Sequence, residues 1–138
     1  MHYLATPCLL LGRFLLGLYF ILPGMQKISE FEKMSGYMQA HDVPMIAFLL
    51  PLTILIQLSA GAALIVGYRG QAAAFLLAGL TLIISIYMHN FWSMEEGMAR
   101  MHEMQNFVKN MAIMAGLLMV AAQGTGKLSV DNRVKTEA

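Results

Sequence analysis

Residues 43–68 and 70–94 contain no Asp, Glu, Lys or Arg, and only Arg69 stands between them. Each run exceeds the roughly 20 residues that an α-helix needs to cross the hydrocarbon core of a bilayer. Within lipid every backbone N–H and C=O must be paired inside the protein, which leaves helices or a closed barrel. Barrel strands alternate polar and apolar residues over about ten positions, whereas these runs are apolar nearly throughout. They predict helices. A third charge-free run, 110–126, reaches spanning length once Phe107 and a snorkelling Lys109 are added. A fourth, 5–26, is interrupted only by Arg13. The expected fold is an all-α integral membrane four-helix bundle, with the lipid bilayer as its surroundings. It is a single domain over residues 1–138, with helices at about 7–26, 45–67, 71–92 and 106–123 and a short polar tail at 124–138.

Composition narrows the function classes. The chain is 58% hydrophobic and 12% charged, against roughly a quarter charged in soluble domains. A net charge of +1 without a basic cluster argues against nucleic acid as a partner. A single cysteine, Cys8, excludes an internal disulfide or dithiol pair. Pro7 directly precedes it and no hydrophobic region precedes both, which speaks against a lipoprotein site. No Lys or Arg stands ahead of the first apolar run, so a cleavable signal is not expected.

Local signals refine the picture. Thr6-Pro7 reads as a helix start, and Pro23-Gly24 as a kink or an end. Between the first two spans, Ser29 and Glu32 fit a capping box, and Ile28, Phe31, Met34 and Met38 recur at helical spacing. A short amphipathic helix at the interface is expected there. "GYRG" at 67–70 predicts a tight turn, and "HNFW" at 89–92 a headgroup-level belt. Small residues at four-residue intervals predict the packing faces: Ser59, Ala63 and Gly67; Ala74 and Ala78; Ala112 and Gly116. Such faces are equally compatible with a homo-oligomer. Four spans place both termini with Arg69, Lys127, Arg133 and Lys135, opposite Lys27, Lys33, Arg100 and Lys109. This tie leaves orientation undecided by the positive-inside rule.

Three constellations could carry chemistry. Arg13, Gly17, Phe20, Gly24 and Lys27 fall on one stripe of the first helix, with a cation at each end. No acid lies within a span, and Asp131 is the nearest candidate partner for Arg13. Arg13 therefore has two readings: a structural pair with Asp131 that locks the tail onto the first helix, or a direct ligand contact. At the other end, Thr81, Ser85 and His89 line one face of the third helix, and Asn106, Lys109 and Asn110 open the fourth near the depth of Lys27. Lys27, His89, Asn106, Lys109 and Asn110 would suit the carbonyl oxygens of a quinone, with His89 able to carry a proton. Their plainer role is to hydrogen-bond neighbouring helices. Third, Met94, Met98, Met101 and Met104 with His102 and His89 resemble a soft copper ligand set. Thirteen methionines are spread along the chain as packing residues, so no metal is expected. His2 and His41 are expected to be exposed and without a role.

Taken in order, "RFLLGLYFILPGMQKI", "HDVP", "GAALIVGYRGQAAAFLLAG", "HNFW", "QNFVKNMAIMAGLLMV" and "GTGKLSVD" resemble the DoxX family of small four-helix bacterial membrane proteins. The resemblance covers nearly the whole chain. It implies a multi-pass protein of the bacterial cytoplasmic (inner) membrane, with both termini cytoplasmic. It also implies a kinship with the membrane subunit of a thiosulfate:quinone oxidoreductase and with protein partners in a membrane redox complex. The function expected first is an oxidoreductase-associated membrane subunit that binds a quinone at the non-terminal side. The alternatives are a non-catalytic scaffold for redox partners and a small-solute or metal-handling protein.

Overall fold

The computed structural model describes residues 2–137, with side chains over residues 4–134. The described residues form α1 (His2–Ser29), α2 (Phe31–Ala40), α3 (Ile46–Val66), α4 (Gly70–Met88), a 3₁₀ turn (Phe91–Ser93), α5 (Met98–Gln123) and α6 (Val130–Glu137). The long helices α1, α3, α4 and α5 make a bundle. In it α1 packs along α3, α4 packs along α5, α3 meets α4, and α1 touches α5 lightly. By length and composition α1, α3 and the α4 segment are each able to cross a membrane. α5 carries Arg100, Glu103 and Lys109 in its first half, and its apolar turns follow them. Phe20, Leu64, Leu77 and Leu117 fill the interior with Ala60, Ala74 and Ala78. Leu15, Leu55, Phe75 and Met119 point outwards and are exposed. Helices apolar on both faces belong in lipid.

Small residues set the closest crossing. A Cβ on Gly17 would lie 2.4 Å from Ile65 Cγ1 and 2.7 Å from the Gly61 carbonyl oxygen, so α1 and α3 meet backbone to backbone. Ala74 and Ala78 are buried as expected, but Ser59 and Ala112 are exposed. The Ser59 hydroxyl donates to the Leu55 carbonyl at 2.6 Å and so needs no neighbouring helix. The buried face of α3 is Gln57, Ala60, Gly61 and Leu64 instead. On α5 the inward positions are Asn110 and Leu117, with Ile113 and Met114 beside them.

Several element ends depart from the expectation. Pro7 and Pro23 both lie inside α1, which starts at His2 and runs on to Ser29. In a long packed helix each proline removes only one ladder bond, and the flanking turns hold. The capping box does not form. Ser29 closes α1 with its hydroxyl on the Gln26 carbonyl at 3.0 Å, and Glu30 precedes α2 without a side-chain cap. α4 ends at Met88 rather than at 92, because Phe91 and Trp92 swing out to stack edge-on against Phe107. α5 begins at Met98, a full two turns before the expected 106. The tail contains α6. His41 is half-buried against the Tyr37 ring rather than exposed; the side chains of His2 and Lys135 lie outside the described residues.

Candidate functional site

Every member of the α1 stripe faces inwards, from buried Arg13, Gly17, Phe20 and Gly24 to half-buried Lys27. The two cations have different surroundings. Arg13 is 3% exposed and donates from Nη1 to the Thr125 carbonyl at 2.9 Å and from Nη2 to the Leu128 carbonyl. Asp131, the expected partner, lies on the same segment but is otherwise engaged. Its Oδ1 accepts from the Arg69 amide at 2.7 Å and its Oδ2 from the Gly70 amide at 2.9 Å. The reason is local: the start of α4 offers free amides and the positive end of a helix dipole, and the carboxylate bonds these directly while acting on Arg13 only through its charge. Gly67, at φ 72°, ends α3 in a left-handed turn, and a Cβ there would sit 2.5 Å from Arg13 Nη1. Arg13 thus pins the segment after α5 across this end of the bundle.

At the opposite end α1, α3, α4 and α5 surround a cavity of about 240 Å³, with Tyr37 and Met38 of α2 also on its wall. Lys27, His89, Lys109 and Asn110 all line it. Asn106 does not. It sits one turn before Asn110 and is occupied with its own helix, bonding Lys109 Nζ at 3.0 Å and Glu103 at 3.5 Å.

The wall is knitted together by hydrogen bonds. Asn110 accepts from the Tyr19 hydroxyl at 2.9 Å and donates to the Ser85 hydroxyl at 3.0 Å, so one buried amide ties α1, α4 and α5. Thr81 and Ser85 send their own protons back to the carbonyls of Leu77 and Thr81. His89 Nδ1 lies 2.6 Å from a Glu103 carboxylate oxygen. Glu103 sits ahead of the apolar turns of α5. Burial would raise its pKa, but hydrogen bonds from His89 and Asn106 and the nearby histidine charges hold it below the ordinary carboxylate value. An ionised Glu103 accepts from His89 Nδ1–H, and in the neutral tautomer with the proton on Nδ1 the free Nε2 is an acceptor. Lys27 reaches its own Pro23 carbonyl at 3.4 Å. Gln57 is 4% exposed on the same wall, and its Oε1 has no hydrogen-bond partner among the described residues.

Gln57, Tyr19 and Glu103 are members that sequence reasoning missed. Gln57 left a signal, being the one amide within 43–68, where only an inward position is cheap. Glu103 continues the Asn106–Asn110 face one turn back, inside what reads as a connection. Of the soft-ligand set, Met98, Met101 and Met104 are exposed and Met94 is half-buried, and His102 Nδ1 faces Asn106.

Comparison with known proteins adds a lineage. The inner membrane protein YqjF of Escherichia coli is 34% identical over 122 residues, covering 88% of this chain and 88% of that protein. The inner membrane protein YphA of Escherichia coli is 31% identical over 130 residues, 94% and 92% of the two chains. A multi-pass inner-membrane protein fits both relatives and the membrane-capable helices. No solved structure matches significantly. The DoxX family model matches residues 8–90, a span that includes Lys27, Gln57 and His89. With that match and two relatives aligned over most of its length, the chain belongs to the DoxX family of membrane proteins.

Proposed function

We propose that this protein is the membrane subunit of a bacterial oxidoreductase system and that it holds a quinone in the cavity between Lys27, Gln57 and His89. The observation that carries this reading is Gln57. A buried amide oxygen without a partner costs stability, and a fold that retains one beside a hollow has a use for it. A side-chain amide serves both redox forms: its oxygen accepts from a quinol hydroxyl, and its NH₂, after a flip, donates to a quinone carbonyl. His89, held by Glu103 through Nδ1, has Nε2 as an acceptor for a quinol proton in its neutral form, and Lys27 is a donor. The volume of about 240 Å³ suits one substituted ring rather than a nucleotide cofactor. Both termini are placed in the cytoplasm and redox partner proteins are expected, on the family resemblance.

Gln57→Leu tests this. It keeps side-chain bulk and removes a polar group that no described residue satisfies, so the purified protein should melt at the same temperature or higher. Quinone binding measured in lipid nanodiscs should weaken by up to about tenfold, the worth of one neutral hydrogen bond. Unchanged quinone binding with loss of co-purifying proteins would instead favour a scaffold.

A further inference from the structure

Beside the polar cavity lies a second, larger hollow of about 700 Å³ between the outer faces of α3 and α4. Its walls are apolar save for the hydroxyls of Thr53 and Tyr87. Met38, Thr53, Ile84 and Met88 line both hollows, so a single layer of side chains separates them. Two of those four are methionines, whose unbranched thioether chains re-pack readily. Along α4 the groove runs from Phe75 to Met88, about 20 Å at the helical rise. Phe75 and Ile83 on its wall are exposed, so the bilayer reaches it directly.

A ring that fills the cavity leaves no space there for a long substituent, and this shared wall lies between the cavity and a hollow open to lipid. We infer that the quinone carries a polyprenyl tail, which leaves the cavity between Met38, Thr53, Ile84 and Met88 and lies in the α3–α4 groove. The inference rests on the quinone reading above. A bilayer acyl chain is the competing occupant, but the groove's continuity with a cavity lined by Gln57, Lys27 and His89 favours a tail joined to a polar ring. Lipid is as apolar as the groove, so the tail gains little free energy by moving into it. The groove acts as a route, and blocking it is the test.

Gly79 lies on the groove wall, and a Cβ there would meet nothing within 4 Å. Gly79→Phe therefore places a ring in the groove without straining the bundle, which a melting curve checks. Binding would be measured in nanodiscs for 2,3-dimethoxy-5-methylbenzoquinone and for the same ring bearing a long polyprenyl tail, with Leu118→Phe as a lipid-facing control. The substitution at Gly79 should leave the tailless quinone within about twofold and weaken the tailed one about tenfold or more. The control should change neither. If both quinones bind Gly79→Phe as they bind the unmodified protein, the tail does not lie in the groove and the inference is overturned while the quinone reading stands. If neither binds the unmodified protein, the quinone reading itself fails.

Discussion

A guanidinium that is only 3% exposed near the edge of a bilayer is tolerable where oxygen atoms replace its water. Arg13 finds two such oxygens in the carbonyls of Thr125 and Leu128, while its Nε has no partner among the described residues. Arg13→Ala strands both carbonyls and should lower stability by about 2–4 kcal/mol in detergent melts. Arg13→Lys should recover part of that, since one ammonium lacks the planar fork that reaches both. Asp131→Asn, which weakens the cap on α4, should cost about 1 kcal/mol. Both residues hold one docked segment, so the double variant should lose less than the sum; strictly additive losses would show that the two ends of the segment dock independently. The direction in which Arg13 points was legible from the four-and-three spacing of its stripe. Its partners were not, because a sequence displays acids and conceals which backbone carbonyls a turn will present. The same blindness hid the occupation of Asp131 by the amides of Arg69 and Gly70.

Helix ends one or two turns away from those expected leave Arg13, Phe20, Ala74 and Ala78 facing inwards, because burial follows periodicity and not the end points. The four long helices were therefore legible from the charge-free runs and the stretch around Arg13. The α2 helix was legible from its apolar spacing. Helix ends were not: of the two readings of Pro23, a kink or an end, the end does not occur, since α1 runs on to Ser29, and the acidic, Met-rich start of α5 reads as a loop. The small-residue rule found Ala74 and Ala78 but misassigned Ser59, whose hydroxyl is satisfied within its own turn. What decides the α1–α3 crossing is Gly17 against Gly61, where any side chain meets backbone. Gly17→Ile should separate the two helices and destabilise the bundle by about 1–3 kcal/mol or more. Gly12→Ala, at a position on the same helix where a Cβ meets nothing within 4 Å, should be neutral or mildly stabilising. Equal melting temperatures for the two would refute the crossing.

On the scale of the molecule, the bundle has two different ends. One is closed by Arg13, Gly67 and the segment after α5; the other holds the cavity, His89 and Glu103. Which end faces the cytoplasm is open to labelling in intact cells. On a Cys8→Ser background, Val134→Cys should be protected from a membrane-impermeant thiol reagent and Glu96→Cys should react; the reverse pattern would invert the orientation. Four of the five residues expected at the quinone site do line one cavity, since depth along a span can be counted from sequence. Gln57 and Tyr19 join them: Gln57 was marked in the sequence only as the lone amide within 43–68, and Tyr19 lies beside the α1 stripe rather than on it. Photo-crosslinking tests the central claim most directly. Membranes containing the unmodified protein are irradiated with an azido-substituted benzoquinone and the adducts are mapped by peptide mass spectrometry. Adducts around Tyr19, Lys27 and Met88 that disappear under excess unlabelled quinone are the predicted result. Adducts confined to outward residues such as Leu118 and Met119, undiminished by competition, would contradict it.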